Sequence, residues 1–167
     1  GLIVEIGRRA LRVACAQASR WPGSIRMAVN VSPVQFELSD VAADIAAALS
    51  ETGLDPARLD IEITEGIFVT NLAATIEKLE AIRRMGVGIA LDDFGTGYSS
   101  LAYLGRLPID KIKIDQSFVR RLPADREAQA IVATVMSLAR VIDKAVIAEG
   151  METAEQAGLL AATGCQT

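Results

Sequence analysis

Apolar positions along the chain recur with two different periods, and the periods alternate. Residues 2–19 carry Leu2, Ile3, Ile6, Ala10, Val13 and Ala14 at helical spacing, and Trp21-Pro22-Gly23 ends the run. Residues 25–31 read as a strand closing on Val29-Asn30-Val31. A helix is predicted over 38–52 from Leu38, Val41, Ile45 and Leu49, with Gly53 as its stop. Leu59 to Thr64 alternates with period two, as a strand does. Helix 71–85 carries Leu72, Ile76, Leu79 and Met85, and Gly86 closes it. Strand 87–92 follows, then a short helix near 98–104 and strand 109–114. Helix 125–142 carries Ile131, Val135, Leu138 and Ile142, and strand 144–148 ends at Ala148-Glu149-Gly150. Thr153 opens a last helix, with Gln156 placed to complete a capping box.

Five strands separated by helices predict an α/β fold with a parallel sheet and helices outside. No linker, repeat or low-complexity segment divides the chain, so a single domain over 1–167 is expected. Asn30, Glu62, Asp92, Lys113 and Glu149 fall at or near the carboxyl ends of five successive strands, at intervals of 32, 30, 21 and 36 residues. Those are the lengths of strand–helix units, so these groups return to one end of the sheet. That end carries the active site of a closed β/α barrel and the ligand crevice of an open sheet.

Composition narrows the chemistry. Of 167 residues, 51% are hydrophobic and 23% charged, enough for a cored globular domain. The net charge of −4 and the lack of a basic tract argue against a DNA or RNA polymer as partner. No apolar run reaches the 18 or so residues of a membrane span, and the first residues look like the inside of a helix rather than a signal peptide. Cys15 and Cys165 make no disulfide framework and suggest a reducing compartment, so a cytoplasmic setting is expected. The chain has no histidine, which removes Ser/His/Asp catalysis and His-ligated zinc. A metal here must be held mainly by oxygen, which points to Mg²⁺, Mn²⁺ or Ca²⁺.

The richest stretch is Gly88 to Leu101, a short apolar strand that runs into Asp92-Asp93 and then a loop with Gly95 and Gly97. Adjacent carboxylates at a strand end repel each other, and a divalent cation reverses that cost. Each group also admits a structural role. Asn30 suits a turn, Glu62 an edge strand, and Glu149 and Glu152 a helix entry, while Lys111 shows that exposed lysines occur beside Lys113. A Schiff-base enzyme using Lys113 is disfavoured by the carboxylates that accompany it. Asp93-Phe94-Gly95 also spells the kinase metal-loop tripeptide, but a kinase needs a catalytic-loop histidine.

Taken in order, these segments resemble the EAL-domain family, the cyclic di-GMP phosphodiesterases. The resemblance rests on Asn30-Val31-Ser32-Pro33-Val34-Gln35-Phe36, Ile61-Glu62-Ile63-Thr64-Glu65, Leu91 to Leu101, Leu107 to Val119, and Ala148-Glu149-Gly150-Met151-Glu152. It implies a (β/α)8 TIM-like barrel of mostly parallel strands, and two divalent ions, Mg²⁺ or Mn²⁺, with Ca²⁺ inhibiting. The implied reaction hydrolyses cyclic di-GMP to linear pGpG in bacterial signalling. By that resemblance Asn30, Glu62 and Asp92 match metal ligands, with Asp92 bridging and Asp93 serving the second ion. Lys113 would orient the attacking water, and Glu149 would join the second metal site or act as base. Glu65 would anchor the loop after β-strand residue Asp92. That loop, with Asp93, Phe94, Gly95, Thr96, Gly97, Tyr98 and Ser99, would contact substrate. A homodimer through residues 93–104 and a GGDEF or sensor domain elsewhere in the protein are also implied, with any membrane anchor in such a region.

The chain departs from the family in one respect. It contains neither the Glu-Ala-Leu motif nor the substrate-binding Arg that follows it, nor the last strand's Gln-Gly. A barrel of this kind runs to about 250 residues. The expectation is therefore a partial barrel, incomplete at both termini, that by itself turns over weakly or not at all. The alternative is a catalytically inactive EAL domain acting as a cyclic di-GMP receptor or protein-interaction module.

Overall fold

The computed structural model describes residues 1–68, 71–95 and 104–165. Five strands are hydrogen-bonded in chain order: β1 (Met27–Asn30), β2 (Leu59–Thr64), β3 (Gly88–Phe94), β4 (Lys111–Ile114) and β5 (Ala145–Ala148). The described helices are α1 (Leu2–Ala18), α2 (Pro33–Leu38), α3 (Val41–Thr52), α4 (Leu72–Arg84), α5 (Gln116–Val119), α6 (Arg126–Val141) and α7 (Ala154–Thr163). The chain separates into two compact units, Gly1–Ala90 and Leu91–Thr167, and β3 passes from one to the other.

In the first unit β1 and β2 are parallel, with Met27 beside Leu59 and Asn30 beside Glu62. Leu59, Ile61 and Ile63 of β2 are fully buried on one face, and Ile45 of α3 and Leu79 and Ile82 of α4 are fully buried too. Burial of each such side chain stabilises the fold by about 1.5–3 kcal/mol. The other face of β2 is polar, with Asp60, Glu62 and Thr64 in sequence. Asp60 is buried at the strand's amino end, where it accepts two hydrogen bonds from Arg26, at 2.8 and 2.6 Å. Gly88 leaves room for that pair: a Cβ there would lie 2.0 Å from Asp60 Oδ1.

Two expectations are corrected in this unit. The face of α1 predicted to pack is the exposed one, with Leu2, Ile6 and Val13 open to solvent. Val4, Leu11, Cys15 and Ala18 are buried instead, on the opposite side of the helix. The helix carries two apolar stripes, and charge chooses between them. Arg8 lies on the Val4–Leu11 side and donates to Asp44 of α3 at 2.8 Å. The predicted helix 38–52 is α3 from Val41 onward, and Leu38, its predicted start, is the last residue of a separate helix, α2. Ser32 caps α2 by accepting from Gln35 N, and Asp40 caps α3 by accepting from Ala43 N. Ser39, between them, is extended, so Leu38 ends one helix and is exposed, while Val41, Ile45 and Leu49 are buried in the next.

In the second unit β4 and β5 are parallel, with Lys113 beside Ile147 and Ile114 beside Ala148. Helix α6 packs on both strands through a buried face that includes Val132, Val135 and Ala139. Helix α5, four residues long and capped by Asp115, was not anticipated from periodicity. Thr153 and Gln156 form the expected capping box at the start of α7. The predicted helix near 98–104 lies, but for Leu104, outside the described residues.

Candidate functional site

The polar groups at the strand ends follow from how each strand terminates. In the first unit, Asn30 is the last residue of β1 and is in register with Glu62 of β2. Val31 N donates to Glu62 O at 2.9 Å, so the two strands stay paired up to the point where β1 ends. Ser32 and Pro33 then turn the chain into α2 at once. Parallel partners in register project on the same side, so the Asn30 amide and the half-buried Glu62 carboxylate are neighbours there. Glu65 opens the 3₁₀ turn Glu65–Phe68, which Thr75 secures by donating to Ile67 O at 3.1 Å.

In the second unit the geometry is tighter. Asp92 is 8% exposed near the end of β3. Its Oδ1 accepts from Asp93 N at 3.0 Å and lies 3.1 Å from Lys113 Nζ. The same ammonium lies 2.6 Å from Glu149 Oε1. The Lys113 side chain is 6% exposed and that of Glu149 is 39% exposed, so the pair closes a buried cation with a carboxylate that water still reaches. Glu149 stands one residue past β5, and its N–H donates to Ile114 O at 3.2 Å. The β4–β5 register therefore sets the distance between Lys113 and Glu149.

Asp93 has a left-handed backbone, with φ of 52°. Such a conformation is uncommon outside glycine, and here it falls inside β3, which runs on to Phe94. Gly95 follows at φ 98°, seated against the Phe118 ring. The Asp93 carboxyl is pushed above the usual carboxylate range by desolvation, and further by Asp92, Asp115 and Glu149. Asp115 goes the other way: hydrogen bonds from Ser117 hold it below that range, and its carboxyl also meets that of Asp93. Sequence reasoning left Asp115 out of the site. The available signal was its place two residues beyond Lys113, immediately after β4.

Asp92 and Glu149 thus meet the Lys113 ammonium, while Asp93, raised first by burial and then by its carboxylate neighbours, lies close enough to feel Asp92, Asp115 and Glu149. Hard oxygen donors with excess anionic charge fit Mg²⁺ or Mn²⁺. Among the described residues, no three Asp, Glu, Cys or His side chains already stand as a coordinating cluster. Of the loop expected to contact substrate, Asp93, Phe94 and Gly95 are described; Thr96, Gly97, Tyr98 and Ser99 lie outside the described residues.

Against known families, the EAL domain profile matches residues 1–167. The chain belongs to the EAL domain family. MucR of Pseudomonas aeruginosa, a bifunctional diguanylate cyclase/cyclic di-GMP phosphodiesterase, is 40% identical over 171 residues, covering 100% of this EAL chain and 25% of that protein. A cyclic di-GMP complex of the PaMucR phosphodiesterase matches with a TM-score of 0.94 at 40% identity, over 99% of this chain and 69% of that one. The EAL domain of DcpA from Mycobacterium smegmatis matches at 0.92 and 39% identity, over 99% and 76%. Klebsiella pneumoniae BlrP1, solved with cyclic di-GMP and calcium, matches at 0.86 and 33% identity, over 97% and 42%. Its manganese complex at pH 6 matches at 0.85 and 33%, with the same coverage. The sheet described above is therefore part of the TIM-barrel-like EAL architecture. The chain spans 20–25% of the length of the first curated relatives it matches. Among the described residues no helix is long and apolar enough to cross a membrane.

Proposed function

We propose that the intact protein carrying this chain is a divalent-metal-dependent phosphodiesterase that hydrolyses cyclic di-GMP to linear pGpG. The observation that carries the reading is the Asp92–Lys113–Glu149 constellation, a buried ammonium held between two carboxylates at strand ends. The relatives named for cyclic di-GMP, and solved with it, support the choice of substrate. Asn30, Glu62 and Asp92 would hold one ion; Asp92, Asp93 and Glu149 would hold the second, with Asp115 steadying Asp93. Mg²⁺ or Mn²⁺ bound there supplies charge neutralisation at the phosphodiester and a water of lowered pKa.

The chain's own part follows from its side chains. Lys113 holds and orients the attacking water through Nζ, and its charge offsets the negative charge that builds on the phosphoryl oxygens. Glu149, 2.6 Å from Nζ, accepts the proton that the water loses as its oxygen bonds to phosphorus and the P–O bond to one ribose breaks. Glu65 anchors the loop 93–101, and two copies associate through residues 93–104. A GGDEF or sensor domain, in the cytoplasm with this one, sets the input. The 167-residue chain alone contains no Glu-Ala-Leu and turns over slowly or not at all.

The test is cyclic di-GMP turnover to pGpG by the intact protein, with Mg²⁺ or Mn²⁺, with Ca²⁺, and after chelation. Turnover with the first two only, and a loss of at least about 100-fold in a folded Glu62→Gln variant, is expected. Binding in Ca²⁺ without turnover in any metal would establish the receptor alternative instead.

A further inference from the structure

Lys113 and Glu149 are carried on different strands, and their 2.6 Å contact depends on how the loops after those strands are held together. The loop after β5 runs from Glu149 to Thr153 and rests on the segment that follows β4. Gly150, at φ 70°, sits directly over Gln116, and a Cβ there would lie 2.6 Å from Gln116 Cβ. Arg120 lies 3.4 Å from Glu152 at the surface, where water weakens the pair.

The buried tie is Gln156, which is 5% exposed. Its Oε1 accepts from Glu152 N at 2.8 Å and from Thr153 N at 3.0 Å. Its Nε2 donates to Leu122 O at 3.3 Å. A capping box needs only the first of these functions, an acceptor for the N-cap amide, and glutamate serves it as well. The donor to Leu122 is the feature that glutamine adds. Through it one amide holds the loop bearing Glu149 against the segment that continues from Lys113 and Asp115.

We propose that Gln156 is a positioning residue for the Lys113–Glu149 pair, clamping the loop after β5 to the segment after β4. Its consequence for turnover rests on the phosphodiesterase reading above; the clamp itself does not. Outer partners that orient catalytic groups cost about 10–100-fold when removed.

The test uses the intact protein with Gln156→Glu, which keeps the acceptor and loses the donor, and Gln156→Ala, which loses both. Hydrogen exchange at the Gly150–Thr153 amides, Mn²⁺ affinity by calorimetry, and kcat and KM for cyclic di-GMP are measured for each. In Gln156→Ala the Glu152 and Thr153 amides are expected to exchange at least about tenfold faster, and Mn²⁺ to bind about tenfold more weakly. In Gln156→Glu those two amides stay protected. In both variants kcat per folded molecule, with the folded fraction fixed by urea unfolding, falls about tenfold with KM within about twofold, a loss that lowered stability alone does not produce. Unchanged exchange in Gln156→Ala, or faster exchange with wild-type kcat and Mn²⁺ affinity, overturns the proposal. If the wild type hydrolyses nothing, the phosphodiesterase reading fails, and exchange with Mn²⁺ affinity still decides the clamp.

Discussion

Replacing Lys113 with methionine keeps most of the side-chain volume and removes the positive charge that touches both Asp92 and Glu149. The wild-type ammonium makes contacts of 3.1 and 2.6 Å to them. Breaking a fully buried ion pair by deleting one partner costs about 3–5 kcal/mol, because the remaining charge stays out of water. Asp92 meets that condition, but the Glu149 side chain is 39% exposed and partly screened. A loss of about 2–3 kcal/mol is therefore expected in chelator, read as a shift in the urea midpoint at unchanged slope. Divalent ions should narrow the gap between the two proteins. The ammonium that stabilises the empty carboxylates also repels a cation entering among them. Lys113→Met should thus bind Mn²⁺ about tenfold more tightly, which needs only 1.4 kcal/mol of relieved repulsion. Both proteins gain from binding, so at saturating Mn²⁺ the variant recovers at most about 1.4 kcal/mol of the loss and stays the less stable of the two. Turnover should nonetheless collapse, because the group that orients the water is gone. A variant as stable as wild type in chelator, or one that binds Mn²⁺ no more tightly, would refute this account of the charge balance.

Three further outcomes are expected. Gly88→Ala forces a methyl into the Asp60–Arg26 pair and should cost about 1–3 kcal/mol in urea unfolding, with turnover per folded molecule retained. Asp125 caps α6 by accepting from Glu127 N and Ala128 N, and the Ala128 amide and Arg121 hold its carboxyl below the usual carboxylate range. A depressed carboxyl contributes stability that is present above its unfolded pKa, about 3.9, and is lost as pH falls through the lower folded value. Asp125→Asn keeps a cap, so its Tm should fall short of wild type near neutrality and converge with it below pH of about 4; a constant gap would contradict the linkage. Thr153→Ala removes the acceptor for Gln156 N and should cost about 1 kcal/mol, measured by thermal unfolding.

How far the sequence carried depended on the range of the interaction that decided each feature. Strand β2 was read at its observed bounds, because period-two alternation from Leu59 to Thr64 is a local signal reinforced on both faces. The Thr153–Gln156 cap was legible for the same reason: both partners lie within four residues. The burial of α1 was not, since Leu2–Ile6–Val13 and Val4–Leu11–Cys15 are both acceptable apolar stripes. The choice is made by Arg8 finding Asp44, 36 residues away. The break between α2 and α3 was missed because Leu38 and Val41 keep helical spacing across Ser39, and only the paired caps Ser32 and Asp40 divide them.

The site divides along the same line. Lys113 and Glu149 could be placed at strand ends by counting strand–helix units, and the β4–β5 register does bring them together. Asp115 could not be added that way. Its carboxyl meets that of Asp93, whose positive φ departs from regular strand geometry within β3. A period-two reading sends Asp93 to the face opposite Asp92, away from the polar side. A positive φ at Asp93 is a backbone feature that hydrophobic patterning does not signal. The same reasoning explains Gln156. As a capping residue it is visible in sequence, but its third hydrogen bond reaches Leu122, 34 residues upstream. Local pattern therefore locates the groups that do chemistry, while the contacts that fix their geometry come from chain segments tens of residues away.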